Sequence, residues 1–180
     1  MQQENTYLSQ FPDIIKQLRQ LSNLNNAQIL FDSRLENWRK NESIFNEKVI
    51  GRNNIFILIH DMEGNIFGGY IKTKINKECE WIKDEEAFIF SLESNGRIMT
   101  PKPFPIKKDK SQYAILLFSK DFDYLFQIGF GYDIVVTKQN HSNNFLSGVN
   151  ETSFEYGKLK YPLCGSKTFI VSRIIAIEMN

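Results

Sequence analysis

The run Ile55-Phe-Ile-Leu-Ile59, the segment Asp61-Met-Glu-Gly-Asn65 and the run Ile66-Phe-Gly-Gly-Tyr-Ile71 constrain this chain more than any other stretch. β-Branched and aromatic side chains suit a pleated strand, and Asp, Gly and Asn supply the hydrogen-bonded or left-handed conformations of a tight reversal. The stretch predicts a β-hairpin. Further strands are expected over 87–93, 113–118, 124–128, 133–137 and 169–178, separated by polar turns. Short strands at such intervals favour an antiparallel sandwich over alternating βαβ units. The expected class is α+β, mainly β: a two-sheet antiparallel β-sandwich with a few flanking helices.

A chain of 180 residues fits one domain, and 15 Phe with 42% apolar content give enough large side chains to fill its interior. Before the β texture begins, Tyr7, Phe11, Ile14, Leu18 and Leu21 recur at spacings of four and three, which marks an amphipathic helix. The stripe is too short for a self-sufficient coiled coil, so it is expected to dock on its own domain or to serve self-association. Residues 1–26 are therefore read as helix and linker, and 27–180 as the β domain.

Two segments depart from the strand pattern. Ser33 with Glu36 three residues on reads as a capping box for a helix through Leu35 and Trp38, continued over 43–48. Pro101, Pro103 and Pro105 remove ladder donors, so their segment is a stiff connection and no central strand.

Catalytic chemistry finds few carriers. His60 and His141 are the only histidines, and neither joins a nucleophile elbow or a metal-spaced cluster. His60 precedes Asp61, but strand neighbours point to opposite faces. Asp84, Glu85 and Glu86 form the densest acidic run, which reads as a solvated loop before a strand. Gly129-Phe-Gly131 lacks the lysine and following helix of a phosphate loop. Like Gly68 and Gly69, its glycines are read as permitting a bulge or close packing. No enzyme, cofactor or metal is expected.

Lys and Arg number 22 against 21 Asp and Glu, so no net field draws the molecule to nucleic acid or an anionic membrane. The local patch Lys102, Lys107, Lys108 and Lys110 carries the alternative reading, a stress-responsive DNA-binding or transcription-associated protein contacting phosphates. Cys79 and Cys164 make no disulfide framework, and Cys164 lies in a turn-like context where it could serve as a redox thiol. The polar N-terminus and the lack of a long apolar run lead to an expected location in the cytoplasm, with the nucleus as the other compartment.

Taken in order, Asn65-Ile-Phe-Gly-Gly-Tyr-Ile71, Trp81, the Asp84 to Ala87 stretch and Phe88-Ile-Phe-Ser-Leu92 resemble the middle of a TLDc domain. Gly129-Phe-Gly-Tyr-Asp-Ile134 resembles that family's glycine-rich strand start. Leu163-Cys-Gly-Ser-Lys-Thr-Phe-Ile-Val171 resembles its closing motif, and Gly165 belongs to the small-residue turn of that motif. The resemblance implies a β-sandwich in proteins linked to oxidative-stress resistance and to binding and disassembling the vacuolar-type proton ATPase, with no established reaction. It makes peripheral subunits of that pump the expected partner. Candidate contacts are Trp81, Asp84, Glu85, Glu86, Ile175 and Glu178, although Ile175 and Ile177 stand where the family often has an acidic and then an aromatic residue.

Overall fold

The computed structural model describes residues 8–139 and 147–180. Tyr7 and His141, both singled out above, lie outside the described residues. The expected hairpin forms from β2 (Ile55–Asp61) and β3 (Ile66–Ile71), paired from Ile55 with Ile71 to His60 with Ile66. Its turn is closed by the Asp61 carboxylate, which accepts from the Glu63 and Asn65 backbone N–H groups at 3.0 and 2.8 Å and from the Asn65 amide at 2.6 Å. Four ladder strands flank the hairpin in a sheet ordered β1 (Ala27–Asp32), β12 (Val171–Met179), β2, β3, β5 (Phe88–Glu93), β6 (Lys102–Pro105).

A second sheet runs β11 (Thr168–Phe169), β10 (Ser147–Val149), β9 (Ile134–Thr137), β8 (Tyr124–Ile128), β7 (Ile115–Leu117), β4 (Trp81–Ile82). Every ladder in both sheets is antiparallel. The sandwich read from the sequence is the observed architecture. Its core lies between the sheets, where Ile55, Ile57, Ile59, Phe67 and Ile89 meet Ile115, Leu117, Phe126 and Ile128.

The unbroken apolar run of β2 has a physical cause, because its other face is covered too. Phe56 and Leu58 join Tyr70, Phe90, Ile175, Ile177 and Met179 in a second cluster beneath α1 (Pro12–Ser22), which contributes Ile14, Ile15 and Leu18. Phe11 and Leu21 pack at its margin. The stripe therefore docks on its own domain, and Ile14 and Leu18 are not exposed for self-association. Burying each of these three aliphatic side chains contributes roughly 1.5–3 kcal/mol. Pro12 sits in the first turn, and Asn23, left-handed at φ 58°, ends the helix with its N–H on the Arg19 carbonyl at 2.9 Å. The link to β1 is tied to the last residue, since Asn25 and Asn26 both donate to the Asn180 carbonyl.

Other expectations need correction. No helix starts at Ser33. Asp32 takes the capping role, its carboxylate accepting from the Arg34 N–H and its own N–H donating to Glu36. Ser33 instead extends the sheet: it exchanges bonds with Ile174 through its N–H and its hydroxyl, so the chain stays with β12 and only turns. A short helix, α2 (Phe45–Val49), follows Ser43, whose hydroxyl accepts from the Phe45 N–H. The proline segment is no mere connection. It forms β6 at the sheet edge, where a missing donor costs no ladder bond. The strand expected over 113–118 begins late, because a 3-10 helix (Lys108–Tyr113) precedes β7. No helix among the described residues is long and apolar enough to cross a membrane.

Candidate functional site

The two sheets differ in what covers them. α1 lies over the outer face of the first sheet, whereas the 3-10 helix Lys108–Tyr113 meets the second at its edge, Tyr113 against Trp81 of β4. Trp81, Leu116, Gln127, Val135 and Gly148 pair across it in one outward row, alternating with core residues such as Ile82, Ile115 and Ile128. Aromatic rings gather above that row. Trp81 meets Tyr113 edge to face at 5.4 Å, and Tyr113 meets Phe130 at 4.7 Å. On the other side Tyr132 approaches Tyr124 at 6.3 Å, beside Phe118 and Phe122. A cavity of about 350 Å³ opens between Tyr124, Tyr132, Val135, Gly148 and Lys167.

Phe130 and Tyr132 stand on the turn that joins β8 to β9, and both remain about half exposed, at 50% and 47%. Gly129, Gly131 and Tyr132 all take positive φ, at 77°, 89° and 67°. Glycine accepts this freely, whereas tyrosine is strained there. The neighbours hold the turn from within. Gln127 donates to the Gly129 carbonyl at 3.0 Å, Ser153 to that of Phe130 at 2.8 Å, and Asn150 to that of Gly131 at 2.9 Å. Beneath them the buried Asp133 accepts from the Thr152 and Ser153 N–H groups and from the Tyr156 hydroxyl. Burial pushes the Asp133 pKa up, and these donors oppose the shift. A Cβ on Gly129 would fall 2.4 Å from the Asp133 carboxylate, so this glycine also makes room for the buried anchor. The neighbouring loop carrying Phe122 is closed by Lys138, whose ammonium donates to the carbonyls of Ser119, Lys120 and Phe122 at 2.5, 3.2 and 2.9 Å.

Of the contacts suggested by sequence, Trp81, Glu85 and Glu86 lie at the surface, Trp81 within the aromatic group. Glu85 pairs with Lys83 at 2.7 Å and Glu86 with Lys72 at 2.6 Å. Asp84 does not belong with them: it is buried and accepts from the backbone of Lys72, Thr73 and Glu86, which makes it the clasp of its loop. Ile175 and Glu178 are also corrected. Ile175 is fully buried under α1, and the buried Glu178 pairs with Arg52 at 3.3 Å, so neither side chain is presented to a partner.

The remaining candidates are dispersed. Lys107 spends its ammonium on the Thr152 carbonyl and Lys102 sits over the Phe104 ring, while Lys108 is exposed and Lys110 lies 3.7 Å from Asp109. Cys164 is not the exposed thiol its turn suggested; burial pushes its pKa up. His60 packs against Phe11 at 5.9 Å, and burial together with Arg173 lowers its pKa to about 4. Asp61 points to the opposite face, into its own turn. Among the described residues no group of His, Cys, Asp and Glu is placed to hold a metal ion.

Sequence reading missed Phe130, Tyr132 and the buried Asp133 as a unit, although aromatics alternating with glycine before a polar residue were the available signal. Among curated proteins no sequence matches the chain. The TLDc domain model matches residues 5–174, a span that takes in α1 and every strand except the later part of β12. The chain belongs to the TLDc domain family.

Proposed function

We propose that this chain is a non-catalytic protein-binding domain, linked to oxidative-stress resistance, that docks on peripheral subunits of the vacuolar-type ATPase and modulates the pump. The observation that carries the reading is the internally bonded turn that presents Phe130 beside Tyr113 and Trp81 and Tyr132 beside Tyr124. Aromatic anchors dominate protein interfaces, and anchors on an already ordered backbone lose little conformational freedom on binding. Glu85 and Glu86 supply charge at the margin of that face, where it steers encounter more than it adds affinity. Family membership supports the choice of partner.

A modulator that consumes no substrate acts by differential affinity, so this one prefers the detached or rearranged sector over the intact assembly. The test is co-sedimentation with purified pump and an assay of coupled ATP hydrolysis. Binding with reduced coupled activity is expected. No binding at tens of micromolar, with salt-sensitive retention on DNA, would replace this reading by a phosphate-contacting one through Lys102, Lys107, Lys108 and Lys110.

A further inference from the structure

A separate cleft of about 460 Å³ opens where the β2–β3 turn, the loop after β5 and the closing loop before β11 converge. Its lining includes Met62, Glu63, Asn65, Arg97, Gly165 and Ile170. Arg97 is the one cation there among the described residues, and its position is built. Its Nη2 donates to Asn65 Oδ1 at 2.5 Å and to the Leu163 carbonyl at 3.4 Å. Asn65, fully buried, is itself fixed by Asp61 at 2.6 Å. The guanidinium lies against Gly165, where a Cβ would come 2.9 Å from Nη1 and 3.1 Å from Cζ. Glycine at 165, with φ 79°, thus keeps the space that the guanidinium occupies.

These contacts use Nη2. Among the described residues Nε and Nη1 have no hydrogen-bond acceptor, and Glu63, the carboxylate in the lining, forms no ion pair with Arg97. The same lining holds two exposed apolar side chains, Met62 at 65% in the β2–β3 turn and Ile170 at 43% between β11 and β12, whose backbones are joined by the Met62 N–H to the Ile170 carbonyl at 2.9 Å. A fixed guanidinium with free N–H groups next to an apolar wall suits a singly charged planar anion attached to an apolar neighbour.

We propose that this cleft binds a carboxylate of an extended peptide, held by the free N–H groups of Arg97 while an adjacent apolar side chain rests on Met62 and Ile170. The site lies outside the aromatic face and does not depend on that face docking on the pump. A single cation matches one carboxylate; a phosphate dianion would call for a second positive group.

The test is an NMR titration of the unaltered, isotope-labelled chain with an acetylated, amidated Leu-Glu-Leu peptide and its Leu-Gln-Leu counterpart. A third peptide, acetyl-Gly-Leu-Leu with a free terminal carboxylate, separates a side-chain source from a chain-end source. Saturable shifts of the Arg97 Nε–H and the Gly165 N–H are expected with at least one carboxylate peptide, and with about tenfold weaker binding of the glutamine peptide. Glu63→Gln should bind at least as tightly, because it removes a neighbouring negative charge. Equal shifts with the glutamine peptide, or no shift at these two positions with either carboxylate peptide, would overturn the proposal.

Discussion

Arg173 and Asp32 meet across β12 and β1 in a buried fork, Nε on Oδ1 at 3.0 Å and Nη2 on Oδ2 at 2.5 Å, with side chains only 7% and 5% exposed. Removing one partner strands the other charge away from water. Asp32→Asn should therefore cost about 3–5 kcal/mol in urea unfolding, against a small effect for exposed pairs such as Lys40 with Asp123. Gly68 and Gly69 were legible as fold-defining, but their reason lies in close approach and not in a bulge or positive φ. A Cβ on Gly68 would sit 1.8 Å from the Ile57 carbonyl oxygen, and one on Gly69 would sit 2.6 Å from Ile128 Cδ1 in the facing sheet. Gly68→Val should lower the melting temperature more than Gly69→Val, because backbone yields less readily than a side-chain tip; unchanged melting in both would refute the packing argument. His60 gives a pH signature. Its pKa falls from 6.5 to about 4 on folding, so the unfolded chain binds the extra proton between those values. Stability is then full above about pH 6.5 and declines as pH falls toward about 4, and His60→Asn should flatten that part of the curve.

The elements divide by how local their causes are. β2, β3 and the stripe of α1 were readable because β-branched and aromatic content, turn residues and three-four spacing are properties of short segments. The false helix at Ser33 shows the limit: its signal was local, but Ser33 was taken by the ladder to Ile174, far along the chain. Ile175 failed as a contact for the same reason, since no short segment says that a helix will cover that face of β12, whereas Glu178, on the other face, is held by Arg52. α1 is therefore a structural layer. Deleting residues 1–22 should expose Phe56, Leu58, Ile175 and Ile177, lowering the melting temperature and promoting association. Leu18→Asp should act in the same direction, as its side chain is fully buried. Melting and sedimentation matching the intact chain in both cases would mean that α1 contributes no packing.

Across the whole molecule, α1 and the two sheets form successive layers, and beside the second sheet the rings of Phe122, Phe130 and Tyr132 stand about half exposed. The layered sandwich was legible from strand spacing, whereas the aromatic face was not, because it gathers residues from distant strands and loops. That face is the docking surface proposed for the pump. Its most direct measurement is the affinity of the purified peripheral sector for the intact chain and for a Phe130→Ser, Tyr132→Gly variant. Tyr132→Gly suits the left-handed backbone at that position, so the fold and melting temperature should be kept. Binding by the intact chain is expected, with at least ~10-fold weaker binding by the variant, about 1.4 kcal/mol or more. Equal affinity of the two chains for the sector would contradict it.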